Sequence, residues 1–275
     1  MRTAISDLSQ MKRRGERIAV LTAYDAPSAA IAERAGTPVL LVGDSLGMVV
    51  YGFPTTLPVT LDMMTAHAAA VVRASSTALV VADLPFLTYA TEAGAIAAAG
   101  RLFREAGVGA VKLEGGRDVA AIVARLTALG MPVMGHLGYT PQATHQIGLK
   151  VQGKGAPDAR RMIEDALALE AAGAFAIVLE LVPAALAAEI TARLSIPTIG
   201  IGAGVACDGQ VQVWHDVLGV NPTAPRHAFR FEEIGAHMEA GARAYVEAVK
   251  SGVFPGEPQS ARMDPAELAK ALHGV

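Results

Sequence analysis

Eight short apolar runs, each followed by a longer and often alanine-rich segment, limit this chain more than any other feature. The runs are 18–21, 38–42, 78–82, 110–113, 132–134, 176–179, 198–201 and 211–214. A continuous apolar run is what a strand buried on both faces requires, and such strands belong to parallel sheets covered by helices. The segments 27–35, 91–106, 118–129, 159–172 and 183–194 are candidate helices, Ala-rich with charges on part of their surface. Pro27 falls in the first turn of its helix, where a missing N–H costs little. Eight strands with helices between them predict an α/β fold, a (β/α)8 TIM barrel. A chain of 275 residues suits a single barrel domain over 1–275, with a helix at the N-terminus, an amphipathic helix over 231–251 and a tail over 252–275.

Composition sets the outer limits. The chain is 52% hydrophobic and 18% charged, so it can bury enough apolar area to offset its conformational entropy, with apolar surface left for contacts between subunits. A net charge of −3 gives no basic footprint for nucleic acid. Lys12-Arg13-Arg14, followed by Glu16, reads as a solvated helix end. The single cysteine, Cys207, rules out an intrachain disulfide and points to a reducing, cytoplasmic setting. Residues 1–7 lack the apolar core of a signal peptide. Asp44, Arg73, Asp83, Glu180 and Glu189 interrupt the apolar stretches, so no membrane span of about 20 residues is expected.

Two connections break the rhythm. Residues 44–60, after the second run, and 137–157, after the fifth, are long and rich in Gly and Pro. Long loops inside a compact domain are usually lids or binding loops.

Chemistry gathers at the ends of the runs. In order they offer Gly43-Asp44-Ser45, Asp83, Lys112 with Glu114, Gly135-His136, Glu180, and the glycine-rich 200–204. In a (β/α)8 barrel the C-terminal strand ends converge on one mouth, where the active site lies. Unpaired buried charges are costly, so a polar or charged group at five successive strand ends is hard to attribute to packing. Asp44, Asp83 and Glu114 are oxygen donors on neighbouring strands, a set that suits Mg2+; each alone could instead cap a helix or pair with a lysine. Lys112 lies two residues before Glu114, so both face the same way on a strand. There it can bind a substrate carboxylate, steady a developing enolate, or simply neutralise Asp83 or Glu114. Glu180 ends a strongly apolar run, and an apolar surround suits a carboxylate to general base work; capping the next helix is the alternative. His136 is open between a direct and a structural role. The 200–204 stretch is not G-x-G-x-x-G, and it is expected to bring backbone close to a ligand.

Several of these stretches, in order, resemble the ketopantoate hydroxymethyltransferase family. They include 43–48 (GDSLGM), 55–60 (TTLPVT), 82–86 (ADLPF), 111–116 (VKLEGG), 135–138 (GHLG), 140–142 (TPQ) and 150–153 (KVQG). Further on come Leu179-Glu180 with Val182-Pro183, then 199–204 (IGIGAG), 207–210 (CDGQ), His215-Asp216 and 254–257 (FPGE). The resemblance implies a Mg2+-dependent barrel enzyme that joins 3-methyl-2-oxobutanoate to the one-carbon unit of 5,10-methylenetetrahydrofolate, giving 2-dehydropantoate for pantothenate synthesis. It implies Asp44, Asp83 and Glu114 as the metal-site acids, Asp44, Ser45, Asp83 and Lys112 as contacts to the oxo acid, and Glu180 as proton acceptor. His136 joins the substrate-binding candidates. A homodecamer of two pentameric rings is also implied. The chain departs from the family pattern at 146–150, which is short of one glycine, and at Phe53-Pro54, where an acid is usual; both lie in loops.

Two other readings use the same residues. One is a Mg2+-dependent C–C lyase or mutase of the phosphoenolpyruvate mutase and isocitrate lyase type, which needs an acid or nucleophile, commonly a cysteine, on a mobile loop. The other is a metabolite-binding barrel without catalysis, against which the intact set of five charged residues weighs.

Overall fold

The computed structural model describes residues 2–273. Eight parallel strands close into a barrel in sequence order: β1 (Ile18–Thr22), β2 (Val39–Val42), β3 (Leu79–Asp83), β4 (Ala110–Lys112), β5 (Val133–Gly138), β6 (Ala176–Glu180), β7 (Thr198–Ile201) and β8 (Gly209–Gln212). Closure is made where β8 pairs with β1, in the register Ile18↔Gly209 to Leu21↔Gln212.

Alternation along each strand divides the apolar residues between two cores. Val20, Val39, Leu41, Val81, Ala110, Met134, Val178, Ile199 and Val211 fill the barrel. Their neighbours in sequence, such as Leu40, Val80, Val111 and Ile177, pack outward against the helices. Helix α1 (Ile5–Arg14) lies under the barrel, and its Leu8 and Met11 belong to the inner core. They seal the N-terminal end.

The surrounding helices begin where the sequence supplies caps. Asp25 Oδ1 accepts Ser28 N–H at 2.7 Å to start α2 (Ala26–Arg34), with Pro27 in the first turn. Thr60 caps α4 (Leu61–Ala74), and Thr91 caps α5 (Glu92–Arg101), which continues as a π-helical turn over Leu102–Ala106. At the other end of α4, the Arg2 guanidinium collects the carbonyls of Val72, Ser75 and Ala78. Glu33 on α2 takes backbone N–H groups of Ser76, Thr77 and Ala78, tying α2 to the start of β3. The remaining outer helices are α6 (Ala120–Ala128), α8 (Ala156–Ala171) and α9 (Ala184–Arg193).

The structure corrects the sequence reading in several places. Strand β5 runs on to Gly138 because Gly138 still pairs with Glu180 of β6, so His136 lies within a strand rather than at its end. Strand β8 starts and stops two residues earlier than expected. Trp214 leaves it to begin the short helix α10 (Trp214–Val217), its N–H bonded to Thr22 Oγ1 at 2.8 Å. Helix α4 has an apolar face that the sequence reading passed over. Strands β7 and β8 are joined by the loop 202–208 alone, which breaks the strand–helix alternation. The long loops hold local structure: α3 (Leu46–Val49) in the first, a 3-10 turn (Pro141–Ala143) and α7 (Thr144–Ile147) in the second. Beyond α11 (Ile234–Lys250), the expected tail contains α12 (Pro265–Leu272); its last two residues lie outside the described residues. Among the described residues no helix is long and apolar enough to cross a membrane.

Candidate active site

The barrel interior changes from apolar to ionic within one layer. The inward positions of β3 are Leu79, Val81 and then Asp83; of β4, Ala110 and Lys112; of β5, Met134 and His136; of β6, Ala176, Val178 and Glu180. The last inward side chain of each of these four strands is therefore ionisable, because the inward position that follows His136 on β5 is Gly138, which has none. Asp44 and Ser45 join them from the turn after β2, and Glu114 follows Lys112 by one strand period. Asp44, Asp83, Lys112, Glu114 and His136 are all buried.

These groups make one connected array. Lys112 Nζ lies 3.0 Å from Asp83 Oδ1 and 3.3 Å from His136 Nδ1. The His136 ring stands between two acids, with Nδ1 3.4 Å from Glu114 Oε1 and Nε2 3.3 Å from Glu180 Oε2. Asp83 Oδ2 accepts the backbone N–H of Asp44 at 3.1 Å. Ser45 Oγ is 2.8 Å from Tyr24 Oη. The sequence reading placed Glu180 in an apolar surround; its side chain is 15% exposed and faces His136. Leu181, the next residue, has a left-handed φ of 49°, and its N–H is held by Ile201 O at 2.9 Å. Strained backbone of this kind persists where the surroundings impose it, as beside a residue that must be aimed.

Burial dominates the electrostatics. It pushes the Asp44 carboxyl well above the usual carboxylate range, helped by the negative charges of Asp83 and Glu114. Asp83 is raised by burial too, although Lys112 opposes this. Burial also works against the Lys112 ammonium, yet Asp83, Glu114 and Asp44 around it hold it charged, above its ordinary value. Glu114 is kept low against its burial by His136, Lys112 and the Gln142 N–H. Burial and Lys112 disfavour the His136 imidazolium, and the Glu114 and Glu180 carboxylates facing its two ring nitrogens outweigh them, bringing it up to about 9.

Four carboxylates thus face one lysine and one histidine, and the array is short of positive charge. Its buried Asp83 Oδ1 and Glu114 Oε1 accept no aligned hydrogen bond. Asp83 Oδ1 has only the off-line Lys112 ion pair, and Glu114 Oε1 only the long contact to His136. These oxygens suit a hard divalent cation. Among the described residues no three His, Cys, Asp or Glu side chains close around a common point. Mg2+ in particular is bound through one or two carboxylates with substrate oxygens and water completing the shell, so an open donor set fits it.

The array also contains residues to which the sequence reading gave no role in the site. Gln142 reaches Asp44 from the second long loop, Tyr89 reaches Gln142 and Glu114, and Tyr24 holds Ser45. None ends an apolar run, so strand ends alone could not find them. The glycines at 202 and 204 turn out to serve packing: a Cβ on Gly202 would meet Leu181 at 2.9 Å, and one on Gly204 would meet Ala184 at 2.5 Å. Their φ values of 64° and 85° also favour glycine. Cys207 is 1% exposed in the β7–β8 loop, and burial pushes its thiol up, so it is not the exposed loop nucleophile of a lyase.

Comparison with known proteins gives the family of the chain. The sequence profile of the ketopantoate hydroxymethyltransferase family matches residues 2–257. The 3-methyl-2-oxobutanoate hydroxymethyltransferase of Gluconacetobacter diazotrophicus is 66% identical over 274 residues, covering 99% of each chain. That of Chloroflexus aggregans is 60% identical, over 99% of this chain and 98% of its own. Among solved structures, phosphonopyruvate hydrolase in complex with oxalate and Mg2+ superposes with a TM-score of 0.64 at 14% identity, covering 100% of this chain and 96% of its own. At that identity the likeness is one of fold.

Proposed function

This chain belongs to the ketopantoate hydroxymethyltransferase family, and from that premise we propose how its buried array carries out the reaction. The reaction is the transfer of a hydroxymethyl group to 3-methyl-2-oxobutanoate, giving 2-dehydropantoate. In our reading the one-carbon donor is 5,10-methylenetetrahydrofolate and the metal is Mg2+, held by Asp44 and Asp83 with Glu114 beside them. When bound, the metal supplies Lewis-acid polarisation of the substrate carbonyl.

The protein's own groups do the rest. Lys112 is the buried cation that receives the oxo acid's carboxylate, and Ser45, oriented by Tyr24, donates a second contact. Together they fix the substrate so that its C3 hydrogen points at Glu180. Glu180 accepts that proton, and His136, 3.3 Å away, balances the charge on the base before the transfer. The enolate then attacks the methylene carbon of the donor as its bond to one folate nitrogen breaks, that nitrogen taking the proton held by Glu180. Water displaces the second nitrogen, leaving its hydroxyl on the carbon and its proton on tetrahydrofolate.

The observation that carries this reading is that Asp83, Lys112, His136 and Glu180 are the last inward side chains of β3 to β6. Anchor and base stand on opposite sides of a histidine, as an enolising site needs. The test is formation of 2-dehydropantoate by the purified protein from both substrates. Turnover of the oxo acid without the folate would point instead to a lyase.

The homodecamer and a cytoplasmic setting belong to the same reading. Supporting assembly, α11 leaves Met238, Tyr245, Val246 and Val249 exposed, an apolar face larger than scattered surface residues would give. The buried lone thiol of Cys207 suits a reducing compartment.

A further inference from the structure

Each metal-site acid has one oxygen tied and another left over. Asp83 Oδ2 is tied by Asp44 N–H, and the other two ties come from a single residue on a different part of the chain. Gln142 sits in the 3-10 turn between β5 and α7, 7% exposed. Its side-chain Nε2 donates to Asp44 Oδ2 at 2.8 Å and to Leu84 O at 3.0 Å, while its backbone N–H donates to Glu114 Oε2 at 3.0 Å. Tyr89 Oη donates to Gln142 Oε1 at 2.6 Å and faces the Glu114 N–H at 3.4 Å.

The amide has one permitted orientation. Leu84 O can only accept, so the nitrogen must face it, and the oxygen must face the tyrosine hydroxyl. With every polar atom of the amide engaged, the side chain cannot turn without leaving a buried group unpaired. Asp44 comes from the turn after β2 and Glu114 from beyond β4, and among the described residues no other donates hydrogen bonds to both carboxylates.

We propose that Gln142 is a positioning residue for the metal site: it fixes the Asp44 and Glu114 carboxylates, and Tyr89 locks its amide in the donating orientation. It touches no reacting atom. The proposal rests on the reading that Asp44, Asp83 and Glu114 serve a divalent cation. It gives the second long loop a role as the clasp that completes the site rather than a lid above it. Outer contacts of this kind typically set metal affinity within a factor of about 10 to 100.

The test is calorimetric titration of the metal-free protein with MgCl2, comparing wild type, Gln142→Met, Tyr89→Phe and the double variant, with melting in excess chelator as the measure of fold. Gln142→Met keeps the volume and the backbone N–H but removes the amide. It should weaken Mg2+ binding about 10- to 100-fold. Tyr89→Phe should weaken it less, and should add nothing in the Gln142→Met background, because the tyrosine acts only through the amide. In activity assays, part of the rate lost at low Mg2+ should return as Mg2+ is raised. Unchanged Mg2+ affinity in Gln142→Met, with a lowered melting point, would make Gln142 a packing residue and overturn the proposal. Wild type that binds no Mg2+ would overturn the metal reading itself, and this proposal with it.

Discussion

Asp83 and Lys112 face each other as Cα partners across β3 and β4, and their side chains, each 4% exposed, meet at 3.0 Å. A buried pair of this kind is poor evidence of stabilisation, since desolvation offsets much of the attraction. On the proposed function, the pair keeps a cation in place for a ligand carboxylate.

Lys112→Met should therefore raise KM for the oxo acid about 10- to 100-fold, the scale of one charge-assisted hydrogen bond. It should also cost about 3–5 kcal/mol of stability by leaving Asp83 buried without its partner. Steady-state kinetics and urea unfolding check both effects. Unchanged kinetics would leave the lysine a purely structural role.

Excess chelator should abolish turnover, and added Mg2+ should restore it. Asp83→Asn should lose metal affinity and rate together, because it removes one negative charge and one free oxygen from the site. Full activity in chelator would remove the metal from the mechanism.

Glu180→Gln keeps the shape of the side chain but cannot accept a proton. Exchange of the substrate's C3 hydrogen for deuterium in heavy water, measured by NMR without folate, should slow about 100- to 10,000-fold. Binding of the oxo acid should persist. Exchange at the wild-type rate would move the base elsewhere, with His136 the next group to test.

Glu33 gives a pH prediction far from the mouth. Slight burial works against its charge, but the backbone N–H groups of Thr77, Ala78 and Ser76 outweigh that and hold the carboxyl down at about 2. A depressed pKa contributes stability above the unfolded value of about 4.3, and that contribution fades as pH falls towards 2. Glu33→Gln should melt below wild type at pH 6, and the gap should close between pH 5 and 2. A gap that stays constant would mean the ionised carboxylate contributes nothing there.

Much of this was legible in the residues because a barrel turns linear order into radial order. Asp83, Lys112 and Glu180 could be placed at the mouth once their runs were recognised as strands, since β3, β4 and β6 are apolar until the last inward position. His136 was harder to place, because β5 continues past it for a reason that lies in β6. Gln142 and Tyr89 left no periodic trace. Their place depends on how two loops fold over the strand ends, and hydrogen bonds across such distances in sequence have no local signature. The break between β7 and β8 was hidden too, since an apolar strand looks the same whether or not a helix follows it.

The seal that α1 makes under the barrel has a kinetic consequence. With Leu8 and Met11 closing the floor, the described residues leave the C-terminal mouth as the way in, and both substrates of the proposed reaction would share it. On the proposed reading the oxo acid binds at the level of Lys112, which is 4% exposed, and the much larger folate stands above it towards solvent. A folate that arrived first would block the way down. Binding should therefore be a queue, the small acid first and the carrier second, with tetrahydrofolate the first to leave and 2-dehydropantoate the last.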